Sequence, residues 1–365
     1  MKISCTKENL TTGLSIVTRV AAKNLTLPIL GNVLLRATGG TLTLGATNLE
    51  VGVITRVRGK VTKEGSVTVQ ARLLNEFVSL LDDDRIELES DGTSLRVEGA
   101  TSKTTIRGIT ADDFPIIPAV AHESGFRAPA TTLHHGLTRV LFAAAQDATR
   151  PEISGIYVAR RGAELTMAAT DSYRLAEARL QLDGAGRDLT AIIPSRALAE
   201  LARILPVEGQ VELYLSDSQA LFVTDGTELT TRLIEGQYPD YQQIIPESSQ
   251  TQAVVDVETL TKAVKTASLF CKPGINDVTV ELDPTGRVIT CAAANAELGE
   301  HRGRIEAKVS GKPTSIVFNY RYLLDGLANL GTDSATLGVS DNASPGVLRP
   351  QNGGTYLYLL MPIRQ

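Results

Sequence analysis

The residues of this 365-residue sequence that could take part in chemistry are few, and their spacing forms no catalytic pattern. His134 and His135 are adjacent, so they cannot share one helix face, as a helical metal site requires. The acidic run 82–84 stands at a predicted helix end, and Asp112-Asp113 precedes Phe114-Pro115; both patterns are typical of turns. A two-metal nuclease needs carboxylates that converge from several elements, and no spacing here predicts such a site.

Nucleotide-binding and thiol motifs are also missing from the sequence. It has neither the GxxxxGK[ST] pattern of ATP-hydrolysing proteins nor a GxGxxG dinucleotide motif. Cys5, Cys271 and Cys291 are odd in number and have no paired spacing, which favours free thiols in a reducing cytoplasm. No apolar run approaches the roughly 18 residues of a membrane helix, and the N-terminus lacks the apolar core of a signal peptide. We therefore expect a cytoplasmic protein that binds no metal or cofactor and is not an enzyme.

Charge is distributed unevenly along the chain. The formal net charge of −5 argues against a simple nucleic-acid binder, which carries a basic footprint. However, the predicted helices hold eleven basic and six acidic residues, whereas the rest of the chain holds 25 basic and 35 acidic residues. If these helices share one surface, that surface attracts a polyanion through phosphate contacts that carry no sequence information.

The elements that would position such a surface recur three times. Leu42, Leu165 and Val288 are spaced 123 residues apart, within segments of similar sequence. Other landmarks keep nearly the same spacing: Asn48, Asp171 and Asn295; Leu10, Leu133 and Leu260; Arg72, Arg196 and Arg321. A period this long indicates a duplicated domain and not a solenoid repeat. We predict domains at residues 1–120, 127–246 and 250–365, with linkers at 118–127 and 245–252.

Each repeat has the periodicity of two helices among short strands. In the first repeat, the strand Lys2–Thr6 leads to a helix that begins near Leu10, and a second helix spans 72–81. We place Leu73, Leu74, Phe77, Leu80 and Leu81 on the apolar side of that second helix. Alternating strands and turns fill the remainder, which predicts an α+β fold of antiparallel sheets backed by two helices per domain.

Several motifs in order resemble the bacterial DNA polymerase III beta subunits, the DNA sliding clamps, over essentially the whole chain. The motifs are Thr26-Leu27-Pro28-Ile29-Leu30-Gly31-Asn32, Ala46-Thr47-Asn48-Leu49-Glu50, Ala169-Thr170-Asp171-Ser172-Tyr173-Arg174-Leu175-Ala176, Glu235-Gly236-Gln237-Tyr238-Pro239-Asp240-Tyr241 and Tyr358-Leu359-Leu360-Met361-Pro362-Ile363-Arg364.

The resemblance implies three similar clamp domains and a ring that two chains close head to tail around duplex DNA. Such a ring tethers the replicative polymerase for processive synthesis. The implied partners are double-stranded DNA, the DNA polymerase III alpha subunit, the clamp loader, and other polymerases and repair proteins that bind through short linear motifs. The implied location is the cytoplasm, on the nucleoid.

The resemblance also implies three sets of site residues. A cleft that binds partner peptides would comprise Ile153, Thr170, Ser172, Tyr173, Arg174, Leu175, Pro239, Ile244, Leu359, Met361, Pro362, Ile363 and Arg364. The DNA-facing set would comprise Arg19, Lys23, Arg72, Arg139, Arg150, Arg196, Arg203, Lys262, Lys265 and Arg321. The dimer interface would comprise Lys103, Arg107, Ile109, Leu269, Phe270, Glu297 and Glu300.

One loop departs from the family pattern. Where relatives often carry a pair of tyrosines, this chain has Pro151-Glu152, which leaves Arg150 and Gln146 as the alternative DNA contacts. Leu175 and Leu359 also suit an ordinary core. Two other functions remain compatible with the sequence: a specialised clamp paralogue for repair or antibiotic resistance, and a DNA-acting enzyme with an unrecognised site.

Overall fold

The computed structural model describes residues 1–21, 27–121, 125–147, 149–351 and 353–364. The helices within these ranges are α1 (Lys7–Val20), α2 (Ala71–Leu80), α3 (Ala130–Leu141), α4 (Pro151–Ser154), α5 (Ser195–Ile204), α6 (Val257–Ser268) and α7 (Tyr320–Ala328). Apart from the short α4, the helices fall two to each repeat, as the sequence predicts.

The strands are short, except for two in the second repeat. They are β1 (Lys2–Thr6), β2 (Asn32–Thr38), β3 (Thr41–Thr47), β4 (Val51–Val57), β5 (Gly59–Lys63), β6 (Gly65–Gln70), β7 (Arg85–Asp91), β8 (Ser94–Glu98), β9 (Lys103–Ile109), β10 (Gly125–Pro129), β11 (Gly155–Thr170), β12 (Arg174–Pro194), β13 (Gln210–Leu215), β14 (Gln219–Thr224), β15 (Thr227–Arg232), β16 (Thr251–Asp256), β17 (Asp277–Asp283), β18 (Val288–Asn295), β19 (Gly299–Glu306), β20 (Lys308–Ser310), β21 (Thr314–Asn319), β22 (Ser334–Val339), β23 (Gly346–Pro350) and β24 (Tyr356–Leu360). Because β10 and β16 begin within the predicted linkers, those linkers are shorter than the sequence indicates.

The chain folds into two compact units. The first consists of Met1–Thr132 and Arg196–Leu233, and the second of Leu133–Ser195 and Ile234–Gln365. Sheets that continue from one repeat into the next explain this division. In the first unit β4 pairs with β15, and in the second unit β12 pairs with β24. The domain boundaries read from the sequence therefore stay a prediction.

The first unit contains one antiparallel sheet of thirteen strands in the order β10-β13-β14-β15-β4-β3-β2-β6-β9-β8-β7-β1-β5. The helix α1 is capped at its N-terminus by Thr6, whose hydroxyl accepts a hydrogen bond from the Asn9 N–H. Its apolar face of Leu10, Leu14 and Val17 is buried against α2 and the strands β3 and β4.

The helix α2 differs from its prediction. It buries Ala71, Leu74 and Val78, whereas Leu73 is 47% exposed and Leu80 is 81% exposed. The helix has more apolar residues than one face can hold, so periodicity alone does not determine which of them face the core.

The second unit contains a seven-stranded sheet, β11-β12-β24-β23-β22-β16-β20, and a four-stranded sheet, β19-β18-β17-β21. The helix α6 is capped by the Asp256 carboxylate, which accepts from the Thr259 N–H at 2.7 Å. It packs against α7 and the strands β18 and β19. The two units together have the predicted α+β composition of antiparallel sheets and paired helices.

Candidate peptide-binding cleft

The turn between β11 and β12 carries four of the predicted cleft residues. The Thr170 hydroxyl donates to the Arg174 carbonyl at 2.7 Å and accepts from the Ser172 N–H at 3.1 Å. Asp171 Oδ1 accepts from the N–H groups of Tyr173 and Arg174, both at 3.0 Å. Ser172 adopts a left-handed backbone with φ of 77°, a conformation that the side-chain bonds on both sides stabilise. The turn is thus fixed locally, and it leaves Tyr173 63% exposed.

The first repeat contains the same turn at Thr47–Val51. The Thr47 hydroxyl donates to the Val51 carbonyl and accepts from the Leu49 N–H. Asn48 Oδ1 takes the place of the carboxylate, and the φ of Leu49 is 76°. The match confirms that the spacing of Asn48 and Asp171 reports a repeated structure. It also shows that the arginine is peculiar to the second copy, since Val51 stands in the first.

Arg174 contacts two carboxylates and two aromatic rings, all of them in the second unit. Its Nε donates to Asp171 Oδ2 at 2.9 Å, and its Nη1 donates to Asp325 Oδ2 on α7 at 2.6 Å. The guanidinium also lies 4.5 Å from the ring centroid of Tyr322 and 5.5 Å from that of Phe142. Burial lowers the pKa of Arg174, but Tyr358, Asp325 and Asp171 raise it more, so the group stays charged.

The C-terminal segment is anchored to this turn. The strand β24 pairs with β12, with Leu359 opposite Leu175 and Leu360 opposite Arg174. Beyond the strand, the Met361 N–H donates to the Tyr173 carbonyl at 2.9 Å, and the Ile363 N–H donates to the Val317 carbonyl at 2.8 Å. Chain termini are usually loose unless they are docked. Here two backbone bonds fix Met361 and Ile363, which with Pro362 stay partly exposed.

An apolar cluster lies beneath the turn and the tail. Leu175 and Leu359 are fully buried in it, together with Ala168, Ile192, Tyr238, Tyr241, Val347 and Leu357. Met361 packs against the edge of this cluster. The two leucines are therefore core residues beneath the turn and the tail.

Tyr241 is tied to a buried carboxylate within the same region. Its hydroxyl donates to Glu177 Oε2 at 2.7 Å, and Arg179 Nε donates to Glu177 Oε1 at 2.9 Å. Burial is the main cause of the raised pKa of Tyr241, which keeps its hydroxyl protonated as a donor. Because Tyr241 lies between Pro239 and Ile244, this bond also positions those two predicted cleft residues.

The remaining cleft residues occupy different environments. Ile153 of α4 is buried, Pro239 is partly buried and Ile244 is 44% exposed. Arg150, which precedes α4, donates to the Ser172 hydroxyl at 3.0 Å and pairs with Glu152 at 3.3 Å. Arg150 thus contacts the cleft turn as well as solvent, and Arg364 is exposed at the end of the tail.

Most of the predicted DNA-facing cations are exposed on helices. These are Arg19 on α1, Arg72 on α2, Arg196 and Arg203 on α5, Lys262 and Lys265 on α6, and Arg321 on α7. Arg72, Arg203 and Lys262 each pair with a glutamate on their own helix. Lys23 falls outside the described residues.

Arg139 does not fit the DNA-facing set. It is half-buried, its Nη2 donates to the Leu330 carbonyl at 3.0 Å, and its guanidinium lies 5.3 Å from the ring centroid of Tyr356. Burial lowers its pKa. The charge count alone could not separate this inward-facing arginine from the exposed ones, and we remove it from the set.

The predicted interface residues lie at strand edges and beside exposed apolar groups. Beyond its pairing with β8, β9 pairs with β6 only through Gly108 and Ile109, and β19 is an edge strand. Lys103 pairs with Glu98, Arg107 is exposed and Ile109 is half-buried. Leu269 is 70% exposed, Phe270 stacks on His301 with centroids 5.8 Å apart, and Glu297 and Glu300 are exposed.

Sequence reasoning missed the exposure of several apolar residues in the same repeats. Leu73 and Leu80 lie seven residues apart on α2, with Phe77 partly exposed between them, and Leu298 is 60% exposed beside Glu297. A surplus of apolar residues on α2 was the one signal that could have revealed the first group.

The described residues show neither a metal cluster nor a membrane-spanning helix. Within them, no group of three or more His, Cys, Asp or Glu side chains could hold a metal ion. None of the helices in the described ranges is long and apolar enough to cross a membrane.

Comparison with known proteins decides the family. Models of the DNA polymerase III beta subunit match the N-terminal domain at residues 1–118, the central domain at 128–240 and the C-terminal domain at 242–364. The chain belongs to the DNA polymerase III beta subunit family. It therefore consists of three clamp domains, and its function is that of a sliding clamp.

Individual members of the beta subunit family are similar over their whole length. The beta sliding clamp of Synechococcus elongatus is 33% identical, with 100% of this chain and 99% of the relative covered. The clamp structure from Bacillus subtilis is 25% identical with a TM-score of 0.95, and covers 100% of this chain and 99% of its own. The Pseudomonas aeruginosa clamp bound to griselimycin is 28% identical with a TM-score of 0.95, and both chains are covered completely.

Proposed function

We propose that two copies of this chain close a ring around duplex DNA, and that the cleft at the Thr170–Arg174 turn holds partner proteins on it. The partners are the DNA polymerase III alpha subunit, the clamp loader, and other polymerases and repair proteins with short linear motifs. The protein acts in the cytoplasm on the nucleoid, as a tether without catalysis of its own.

The observation that carries the cleft assignment is the docked tail. The Met361 bond to Tyr173 and the Ile363 bond to Val317 fix three partly exposed apolar residues at the end of the chain, and Met361 packs against a buried apolar cluster. Peptide sites combine an apolar surface with a few fixed polar groups, and methionine adapts to ligands of different shape. The P. aeruginosa relative bound to griselimycin supports a ligand-binding function in the family.

The ring proposal is based on two strand edges without a partner strand in the described part of one chain, residues 103–107 of β9 on the side of β6 and the outer side of β19. Edge strands expose backbone N–H and C=O groups that readily pair with another chain. In a head-to-tail dimer, β9 of one copy meets β19 of the other, and the exposed apolar groups of α2 meet those around Leu269 and Leu298. Lys103 and Arg107 then face Glu297 and Glu300, so the charges are complementary. The same contact made twice closes the ring.

The DNA assignment rests on the exposed cations of five of the six long helices, α1, α2, α5, α6 and α7. Arg19, Arg196, Lys265 and their neighbours supply positive charge on a chain whose net charge is −5. Phosphate contacts of this kind are independent of sequence and allow sliding. Once a ring encloses the duplex, retention needs no strong contact.

Removal of the docked tail tests the cleft. Binding of a fluorescein-labelled alpha-subunit peptide should weaken by more than about tenfold in a variant that lacks 361–365, since the apolar groups beside Tyr173 are lost. The matched control lacks only Gln365, so it keeps Arg364 and both tail hydrogen bonds. Unchanged affinity in the longer deletion refutes the cleft. Binding of a repair-protein peptide without binding of the alpha-subunit peptide would instead favour the specialised paralogue.

A further inference from the structure

Arg174 and its two carboxylate partners form a cluster with a net charge of −1. The Arg174 and Asp171 side chains are nearly buried, with 12% and 15% exposed, whereas Asp325 is 49% exposed. This cluster adjoins Tyr173, whose carbonyl anchors the tail. A peptide on the tail therefore approaches an arginine whose charge is already neutralised by two carboxylates. Arg150, which donates to the Ser172 hydroxyl of the same turn, is likewise paired with Glu152.

The geometry leaves Arg174 little capacity to bind a ligand carboxylate. A planar guanidinium binds a carboxylate best through two parallel N–H groups. Here Nε is engaged by Asp171 and Nη1 by Asp325, and aromatic rings lie over the guanidinium at 4.5 and 5.5 Å. An acidic ligand side chain would have to displace Asp325 or approach the net negative charge.

Asp171 and Asp325 have separable roles. Asp171 Oδ1 also fixes the turn by accepting two backbone N–H groups. The Asp325 side chain accepts from the Arg174 guanidinium but from no backbone N–H of the turn. Its backbone carbonyl accepts from the Asn329 side-chain amide at 2.8 Å, a bond within α7 and its C-cap that does not depend on the carboxylate. The Asp325 side chain therefore sets the charge at this end of the cleft without building the turn.

We propose that Asp325 is a specificity-determining residue of the cleft, which disfavours acidic ligand residues beside Arg174 and favours neutral or basic ones. This inference rests on the proposed peptide-binding function. Like charges placed close together are a common means by which an interface rejects wrong partners.

The experiment compares charge variants of the ligand on matched protein variants. The probes are the labelled alpha-subunit peptide and versions in which each position in turn is Asp, Asn or Lys. The proteins are the parent, Asp325→Asn and Asp333→Asn; Asp333 is exposed in the same unit, and its substitution makes the same change in charge. Dissociation constants are measured by fluorescence anisotropy, and melting temperatures verify that each variant is folded.

The readout is the ratio of the Asp-peptide to Asn-peptide dissociation constants at each position. At the position nearest Arg174 we expect a ratio of about five to ten in the parent, which falls to about two or less in Asp325→Asn. Asp333→Asn should leave the ratio unchanged, and the Lys peptide should lose affinity for Asp325→Asn.

Two outcomes overturn the inference while the cleft stands. One is an Asp penalty that is the same in all three proteins at every position. The other is tighter binding of an Asp peptide than of its Asn counterpart near Arg174, which would make Arg174 an open cation site. If no peptide binds the parent protein, the proposed function itself fails.

Discussion

The buried bond between Tyr241 and Glu177 gives a quantitative test of how the segment 238–245, which carries the predicted cleft residues Pro239 and Ile244, is held in place. Tyr241→Phe removes the 2.7 Å hydrogen bond to Glu177 Oε2 and leaves a carboxylate that is only 4% exposed with one fewer donor. A hydrogen bond to a charged group contributes about 1.5–3 kcal/mol. Since about 1.4 kcal/mol is a factor of ten, the local opening of residues 238–245 should become roughly ten- to hundredfold more frequent.

Hydrogen exchange with mass spectrometry measures this opening directly. The Tyr241 N–H bonds the Pro239 carbonyl at 2.8 Å and the Ile245 N–H bonds the Gln242 carbonyl at 3.2 Å, so a fragment covering 234–246 should exchange faster in Tyr241→Phe. Affinity for the alpha-subunit peptide should fall with it, because Pro239 and Ile244 share this segment.

The matched control is Tyr214→Phe in the first unit. Like Tyr241, Tyr214 donates its hydroxyl hydrogen bond to a glutamate, in this case to Glu212 at 2.6 Å. This pair is partly exposed, so water can replace the bond. Such surface changes usually stay within about 0.5 kcal/mol. Equal exchange of fragment 234–246 in Tyr241→Phe and the parent would refute the view that this bond holds the segment 238–245 in place.

Two further predictions concern thiols and a helix cap. Burial raises the pKa of Cys5 and Cys271 to about 11 and that of Cys291 to about 12. Iodoacetamide at pH about 8 should therefore modify none of the three thiols within minutes in the native protein, and all three in guanidinium chloride. Rapid native labelling of Cys5 or Cys291 would contradict the buried positions. Hydrogen bonds from the Thr259 hydroxyl and N–H lower the pKa of Asp256 below its ordinary value of 3.8. The stabilisation of α6 by the Asp256 carboxylate is therefore fully present above pH 3.8 and is lost as the pH falls through the lower pKa of the folded state. Asp256→Ala should therefore melt below the parent at neutral pH, and the difference should shrink in acid; a difference independent of pH would exclude the carboxylate as the cap.

Much of the fold could be read from the sequence because its repeats preserve local geometry. Asn48 and Asp171, which the repeat spacing pairs, lie in two turns with the same side-chain bonds. The residue that follows each of them is left-handed, and the two φ angles are nearly the same. These features are local, since a threonine and an Asx residue determine the turn within five positions.

The arrangement around Arg174 could not be predicted in the same way. Its partner Asp325 is 151 residues away, and no local pattern indicates that a helix in the third repeat supplies a second carboxylate. Which face of α2 is buried could not be predicted from the sequence either. Leu73 and Leu74 are chemically equal, and only packing against α1 and the sheet determines that Leu74 is buried.

Retention on circular DNA tests the central claim, that the protein holds DNA by enclosing it. The clamp loader places the protein on a nicked circular plasmid, the sample is filtered by size, and half of it is then cut once. We expect the protein to stay with the circle and to leave the linear DNA, because a ring slides off free ends. A Leu269→Asp variant, which places a charge in the proposed interface, should be retained on neither. Equal retention of the parent protein on circular and linear DNA would contradict the account.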